Sequence, residues 1–402
     1  MILYCDQIYM EDGIKNGYLL INDGKITSFH PASEQLNADV DYTGFKLIPG
    51  IIDTHNHGCF GFDLMKAPIP QQDIEGYLKG LVTQGVTAAF PTVSGSALGI
   101  KSLADYEEYP LKGARIMGIH SEGPWGSRVG EKGVNTGYPA VDLDYAKEMV
   151  EAGKGKLKLV DVAPEVPNAL EAIRYFKENG VFVGAYHTNA NYKEANRGID
   201  EGITVATHLG NVMTGLHHRD IGTLGACLLR PEVDCEIICD DMHISLEMIR
   251  IYLKVKDPSR FMMISDNVKY AGLPAGHYKG MTKDTNSDRK TISITEDGFV
   301  LSETGRLSGS SKPVIYGIKN LVTKLNIPLE EVIKMSSLNP ARKYGFNDRK
   351  GSLSIGKDAD FVVITNEFDV KETWVEGQKL YDASKDTLQY NEDYLKEFRL
   401  PE

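Results

Sequence analysis

The chain is poor in the features that mark most specialised protein classes. Its 402 residues include five cysteines and two tryptophans. Cys5, Cys59, Cys227, Cys235 and Cys239 are scattered, and no two form a C-x-x-C knuckle. That spacing argues against a zinc ribbon or a disulfide scaffold and fits a reduced, cytoplasmic setting. Cys235 and Cys239 flank an Ile-Ile pair and read as packing residues of a strand. No apolar run approaches the length of a membrane span. The opening "MILYCDQIYMEDG" has no basic stretch leading into an apolar one, so no secretory signal is expected. Charge is mixed along the chain, with a net charge of -12 and a pI of about 5.4, which argues against a nucleic-acid or anionic-membrane surface. Internal repeats and low-complexity segments are absent. No G-x-G-x-x-G follows the early strand-like runs, so a doubly wound dinucleotide fold is the weaker alternative.

What is present is alternation. Hydrophobic residues make up 42% of the chain, enough for a large domain with a smaller one beside it. Apolar, β-branched runs occur at 51–56, 86–92, 114–120, 157–163, 181–186, 203–207, 234–239 and 261–265. Between them lie stretches of helical period such as "DIEGYLKGLVTQG", "NALEAIRYFKENG" and "SLEMIRIYLKV". Buried strands separated by helices form βαβ units. Eight such units suggest an α/β fold of the (β/α)8 TIM-barrel type, spanning 49–349. The segment at about 270–310 reads as a hairpin-rich insertion. Residues 1–48 and 350–402 are rich in short strands and turns, and are expected to form a small β-sandwich domain assembled from both chain termini.

In such a barrel, chemistry gathers at the C-terminal ends of the strands. Residues following the apolar runs are His55 and His57 after the first and Glu122 after the third. His187 follows the fifth, His208 the sixth, Asp240, Asp241 and His243 the seventh, and Asp266 the eighth. Taken singly, each is an ordinary polar residue at a strand end. Taken together, they form one rim of imidazoles and carboxylates, the donor set of zinc and related divalent metals. His55 and His57 stand two apart and face the same way on a strand, so both can reach one ion. His120, two before Glu122, reads as a supporting residue. His30 and His277 have no evident partners, and His217, His218 and Arg219 share a loop that reads as solvated, with anion binding the sharper alternative. A metal with an open position acidifies water and polarises a carbonyl, and Asp266 is placed to serve as general base and then general acid. The reaction class is metal-assisted hydrolysis of an amide or related C–N bond.

These residues resemble the amidohydrolase superfamily, and within it the N-acetylglucosamine-6-phosphate deacetylase family. The likeness is carried over nearly the whole chain by "PGIIDTHNHG", "GIHSEGPW", "HTNA", "THLGNVMTGLHHRDIGTLGA", "DDMH", "ISDNVKYAGLPAGHY", "GRLSGS", "SLNPARKYG" and "KGSLSIGKDADFVV". Many binuclear members of the superfamily bridge their metals with a carboxylated lysine at strand four. Here that run ends "LVDVAPE", without lysine, which matches the family's use of the strand-three glutamate.

The resemblance implies that Glu122, His187 and His208 are the core metal ligands and that Asp266 is the catalytic acid/base. His55 and His57 would hold a second metal, with Glu122 bridging. The cofactor would be one or two divalent metals per chain, zinc first, with iron, manganese and cobalt as alternatives. His243, Asn211, Val212, Arg219, Leu307, Ser308 and Gly309, with Val134 and Asn135, would bind a phosphorylated N-acetylhexosamine. Arg219 would reach the neighbouring subunit's site, which implies a homodimer. The chain departs from the family at Gly210-Asn211-Val212-Met213, where Phe-Asn-Ala-Met is usual, and at Lys132-Gly133-Val134-Asn135, where Lys-Gly-Ala-His is usual. It also reads Asp240-Asp241-Met242-His243 in place of Asp-Gly-aliphatic-His. Metal and acid/base positions are kept and sugar-contacting ones differ, so the galacto epimer is an alternative substrate. A cyclic-amide hydrolase, a deaminase and a non-catalytic phosphosugar-binding protein are the rival readings.

Overall fold

A computed structural model describes residues 1–128, 140–280 and 289–401. The alternating middle of the chain forms eight parallel strands: β1 (Ile51–Asn56), β2 (Val86–Val93), β3 (Ile119–Trp125), β4 (Leu157–Val162), β5 (Phe182–Ala185), β6 (Ile203–Ala206), β7 (Asp234–Ile238) and β8 (Phe261–Ile264). Each pairs with the next in chain order. The ring closes just beyond β8, where the Asp266 N–H donates to His55 O at 2.8 Å and the His57 N–H to Asn267 O at 2.7 Å. Residues read as catalytic thus also make the backbone bonds that close the barrel.

The helices follow the helical-period stretches: α1 (Gln71–Thr83), α2 (Ala97–Asp105), α3 (Leu143–Gly153), α4 (Ala169–Glu178), α5 (Tyr192–Glu201), α6 (Gly222–Leu229), α7 (Leu246–Val255) and α8 (Val314–Thr323). Their apolar stripes pack on the outer faces of the strands, with Tyr77, Met149, Ile173, Phe176 and Ile249 fully buried. The helices after β5 and β7 start on firm caps. Asn191 and Glu194 form a reciprocal capping box on α5, and the Ser245 side chain accepts from the Met248 N–H on α7.

One strand departs from expectation. The third apolar run begins at 114, but only Arg115 and Ile116 pair there, as a short side strand against β2. The barrel strand proper starts at Ile119 and runs through Glu122 to Trp125, which pairs with Val162. Glu122 therefore lies within β3 and not beyond it. "SEGP" resembles a turn in sequence, but parallel pairing with β4 carries the backbone through it.

Inside the barrel the lining has two tiers. At the N-terminal end Ile52, Phe90, Leu159, Val205 and Met262 pack together and are covered by Tyr344 and Phe346. Above them the lining turns polar, with Thr54, His120, Asp161, Thr207 and Glu236 all buried. Gly184 of β5 permits this: a Cβ there would lie 2.1 Å from Asp161 Oδ1 and 2.4 Å from Thr207 Oγ1.

Strands from both chain ends join in one eight-stranded sheet, in which Lys46–Pro49 pairs with Phe361–Ile364. Its core gathers Leu3, Cys5, Ile8, Leu19, Ile26, Leu47, Phe361, Val363 and Trp374. Gly276–Lys279, Thr291–Ile294 and Val300–Ser302 pair as a three-stranded antiparallel insertion. The terminal helix Glu392–Phe398 packs against that insertion through Tyr394, beside Tyr270 and Tyr278, and not within the core of the terminal sheet. No helix among the described residues is long and apolar enough to cross a membrane.

Candidate active site

At the C-terminal mouth of the barrel, four imidazoles and two carboxylates converge. Glu122 stands at the centre. Its Oε1 lies 3.1 Å from His208 Nε2 and 3.3 Å from His187 Nε2, and its Oε2 lies 3.1 Å from His57 Nε2. His55 Nε2 and His57 Nε2 are 3.2 Å apart, and Asp266 Oδ1 lies 3.4 and 3.5 Å from them. This geometry brings Glu122, His187, His208, His55, His57 and Asp266 together in one cluster. It also sets the His55 and His57 Nε2 atoms side by side, the placement that the same-face argument for the His-x-His pair describes.

The backbone is bent to achieve it. His187, His208 and Asp266 have φ of +37°, +33° and +51°, a region that residues other than glycine rarely occupy. All three stand just past strand ends, where strain is tolerated because it aims a functional group. Three of the four imidazoles are also held from behind. His57 Nδ1 faces Thr92 O at 3.1 Å, His187 Nδ1 faces Arg128 O at 3.2 Å, and His55 Nδ1 faces Glu236 Oε2 at 3.1 Å. A proton on each Nδ1 leaves each Nε2 lone pair directed at the centre. His208 Nδ1 is buried and finds no hydrogen-bond partner among the described residues.

Such a set of facing lone pairs requires positive charge. Burial alone would push Glu122 up, but His187, His208 and His57 bonded to it hold its carboxyl well below the usual range. Burial likewise opposes a charge on His57, yet Asp266 and Glu122 raise it to about 10. For Asp266 burial is outweighed by His55 and His57, which bring it to about 2. A proton held this strongly is one answer to the charge demand, and a divalent cation is the other. Three donor groups are close enough for the second answer: Glu122 with His187 and His208, and His55 with His57 and Asp266, both at the mouth, and His55 with His120 and Glu236 in the buried tier beneath. Bonds of about 2.0–2.1 Å in a tetrahedral site put neighbouring donor atoms about 3.3 Å apart. The separations here are 3.1 to 3.5 Å.

Several residues read as substrate-binding lie on the loops that carry this cluster. His243 Nδ1 bonds Asp240 Oδ2 at 2.7 Å, and Asp240 Oδ1 also accepts from the Met242 and His243 N–H groups. Burial would lower His243, but Asp240 and the charge of Asp266 raise it. The Asn211 N–H donates to His208 O, and Val212 O accepts from the Thr188 N–H, so both sit between the two histidine loops. Val212 has φ of +50°, strained for a β-branched residue. Asp241 has φ of +68° where the family usually carries glycine, and its side chain accepts from the Leu246 N–H at 3.3 Å. Leu307, Ser308 and Gly309 lead into Ser310, which bridges to Asn267 beside Asp266. Arg219 is exposed on the 217–220 turn with its Nε on His218, and no described contact joins it to the Glu122 cluster. Val134 and Asn135, with Lys132 and Gly133, lie outside the described residues.

Of the polar tier beneath, sequence reading reached His120 as a supporting residue and passed over Asp161, Thr207, Thr54 and Glu236. His120 Nε2 bonds Asp161 Oδ2 at 2.8 Å, and Thr207 donates to Asp161 Oδ1 at 2.7 Å. Glu236 accepts from Thr54 Oγ1 at 3.0 Å. Burial, with Asp161 nearby, pushes the Glu236 carboxyl well up, so it depends on its donors and on positive charge in the site to stay ionised. The available signal was a charged residue inside an otherwise buried run, "DCEIIC" or "LVDVAP".

A (β/α)8 barrel with imidazoles and carboxylates gathered at the strand C-termini defines a hydrolase able to hold a metal at its mouth. Residues 47–380 match the family model described as Amidohydrolase family. The N-acetylglucosamine-6-phosphate deacetylase of Vibrio furnissii is 31% identical over 90% of this chain and 90% of its own. The N-acetylgalactosamine-6-phosphate deacetylase of Escherichia coli O157:H7 is 29% identical over 94% of this chain and 98% of its own. Among solved structures, the N-acetyl-D-glucosamine-6-phosphate deacetylase of Mycobacterium smegmatis superposes with a TM-score of 0.84 at 25% identity, covering 95% of this chain and 100% of that one. The chain belongs to the amidohydrolase family, in the branch of the N-acetylglucosamine-6-phosphate deacetylases.

Proposed function

We propose that this chain hydrolyses the N-acetyl group of N-acetylglucosamine 6-phosphate, releasing acetate and glucosamine 6-phosphate. The observation that carries the reading is Asp266, whose Oδ1 stands 3.4 Å from His55 Nε2 within the cluster centred on Glu122. A divalent cation held by Glu122, His187 and His208, and a second by His55 and His57 with Glu122 shared, would polarise the acetyl carbonyl and acidify water. Zinc suits these nitrogen and oxygen donors, with iron, manganese and cobalt as alternatives. Asp266 takes a proton from water as the water oxygen attacks the carbonyl carbon. It then delivers that proton to the amide nitrogen as the C–N bond breaks. His243, oriented by Asp240, donates to the acetamide oxygen.

Asn211, Val212 and the Leu307–Gly309 segment line the sugar, and Arg219 binds the phosphate through its planar fork. The exposure of Arg219, away from the Glu122 cluster of its own chain, supports a homodimer in which it serves the neighbouring site. Five free, buried cysteines support a reducing, cytoplasmic setting. The galacto epimer is the second reading, favoured by the Escherichia coli relative and by the altered Gly210–Met213 and Asp240–His243 segments. Zinc-loaded protein incubated with each 6-phosphate in turn should release acetate, fastest from the gluco epimer. Release from neither sugar removes the assignment, and faster release from the galacto epimer replaces it with the second reading.

A further inference from the structure

The four site histidines are not held alike. His57 and His187 lean on main-chain carbonyls, of Thr92 and Arg128, which a side-chain substitution cannot remove. The Nδ1 of His208 is buried with no hydrogen-bond partner among the described residues. His55 alone among the four is held by a side chain, the carboxylate of Glu236, at 3.1 Å. Both residues are fully buried. The other oxygen of Glu236 accepts from Thr54 Oγ1 at 3.0 Å, so the carboxylate is tied by the residue next to the one it supports. Beside it the His55 ring meets the His120 ring edge-on at 4.5 Å between centroids, which limits its tilt. With Nδ1 committed to Glu236, the Nε2 of His55 faces His57 and Asp266.

We propose that Glu236 is a positioning residue for the half of the site formed by His55 and His57 beside Asp266, fixing the His55 ring so that this half can hold its own cation. It does not touch substrate and acts through His55. The inference rests on the metal-dependent reading above and adds to it a single residue that governs one half of the centre. Among the described residues, no hydrogen bond or ion pair joins Glu122, His187 or His208 to Glu236. A lost partner behind a metal-binding histidine typically weakens metal affinity by roughly 10–100-fold.

Full-length protein is loaded with zinc and titrated with a chelator, and zinc per chain is counted by mass spectrometry. Wild type should hold two equivalents. Glu236→Ala should hold one at its original affinity and lose the other at roughly 10–100-fold lower chelator. The retained equivalent reports that the variant is folded. Glu236→Gln should keep both, because its amide oxygen can still accept from His55 Nδ1 while its NH2 meets Thr54. His55→Ala should lose the same equivalent, and adding Glu236→Ala to it should change nothing further, as expected for residues acting as one unit. Two equivalents of unchanged affinity in Glu236→Ala overturn this inference and leave the deacetylase reading standing. A wild type that holds only one equivalent overturns the two-cation centre and this inference with it, while acetate release tests the reaction separately.

Discussion

The upper barrel and the terminal sheet bury their residues to opposite ends. Beneath the mouth, Asp53, Thr54, His55, Asn56, His120, Asp161, Thr207 and Glu236 are almost wholly removed from water. Each is matched by partners: Asp53 alone accepts from Ser265 Oγ at 2.6 Å and from Asn56 Nδ2 at 3.0 Å, tying β1 to the residue after β8. In the terminal sheet, Leu3, Ile8, Leu19, Leu47, Phe361 and Val363 are equally buried and make no demand for polar partners. Burying polar groups and then matching them yields little net stability but fixes geometry tightly. Burying apolar area yields about 25 cal/mol per Å² and fixes geometry loosely. The molecule thus separates its two tasks. Lys46–Pro49 joins them: it pairs with Phe361–Ile364 and ends two residues before β1, which carries His55.

If that division is right, damage to one region should leave the other's property intact. The largest expected effect is in the mouth. Asp266→Asn keeps the shape and the backbone bond to His55 O but loses the proton acceptor. Acetate release should fall by roughly 10³-fold or more in kcat. The thermal midpoint and zinc content should stay near wild type. A kcat within a few-fold of wild type would remove Asp266 from proton transfer.

The converse experiment is Phe361→Ala. Phe361 is fully buried and stacks on Trp374 at 5.3 Å between ring centroids. Truncation should destabilise the protein by about 3–5 kcal/mol, read as a lower denaturant midpoint. Below the transition, acetate release per folded chain and zinc per chain should be unchanged. A fall in kcat under those conditions would show that the sheet sets the site's geometry as well as its stability.

The two regions also differ in how far the sequence discloses them. Seven of the eight barrel strands coincide with apolar runs, because a strand buried on both faces must be apolar along most of its length. The rim was readable because barrel topology puts strand ends together whatever their separation along the chain. β3 was misjudged at both ends: Arg115 and Ile116 pair only as a side strand, and "SEGP" has the composition of a turn that only the neighbouring β4 holds extended. Glu236 was not readable in its role. It lies 181 residues from His55, and nothing local to either marks the pairing. The terminal sheet was legible as strands and turns, but the departure of the last helix to the insertion rests on contacts of Tyr394 with Tyr270 and Tyr278 that no periodicity reveals.

The smallest effect tests a place where neither region suffices. Arg219 sits on an exposed turn, with its side chain on His218 and its N–H on His217 Nδ1 at 3.3 Å. It belongs neither to the matched polar tier nor to an apolar core, so Arg219→Ala should alter neither the thermal midpoint nor zinc content. Loss of a charged hydrogen-bonding group on a phosphate should instead raise KM by roughly 10–100-fold with kcat nearly unchanged. The unphosphorylated sugar gives the control, because its KM should be the same in variant and wild type. Mixing Arg219→Ala with Asp266→Asn chains sharpens the result. If the arginine serves the partner's site, a mixed dimer carries one site with both Arg219 and Asp266 intact, and acetate release with wild-type KM should reappear. No recovery on mixing, with subunit exchange verified, would assign Arg219 to its own chain's mouth.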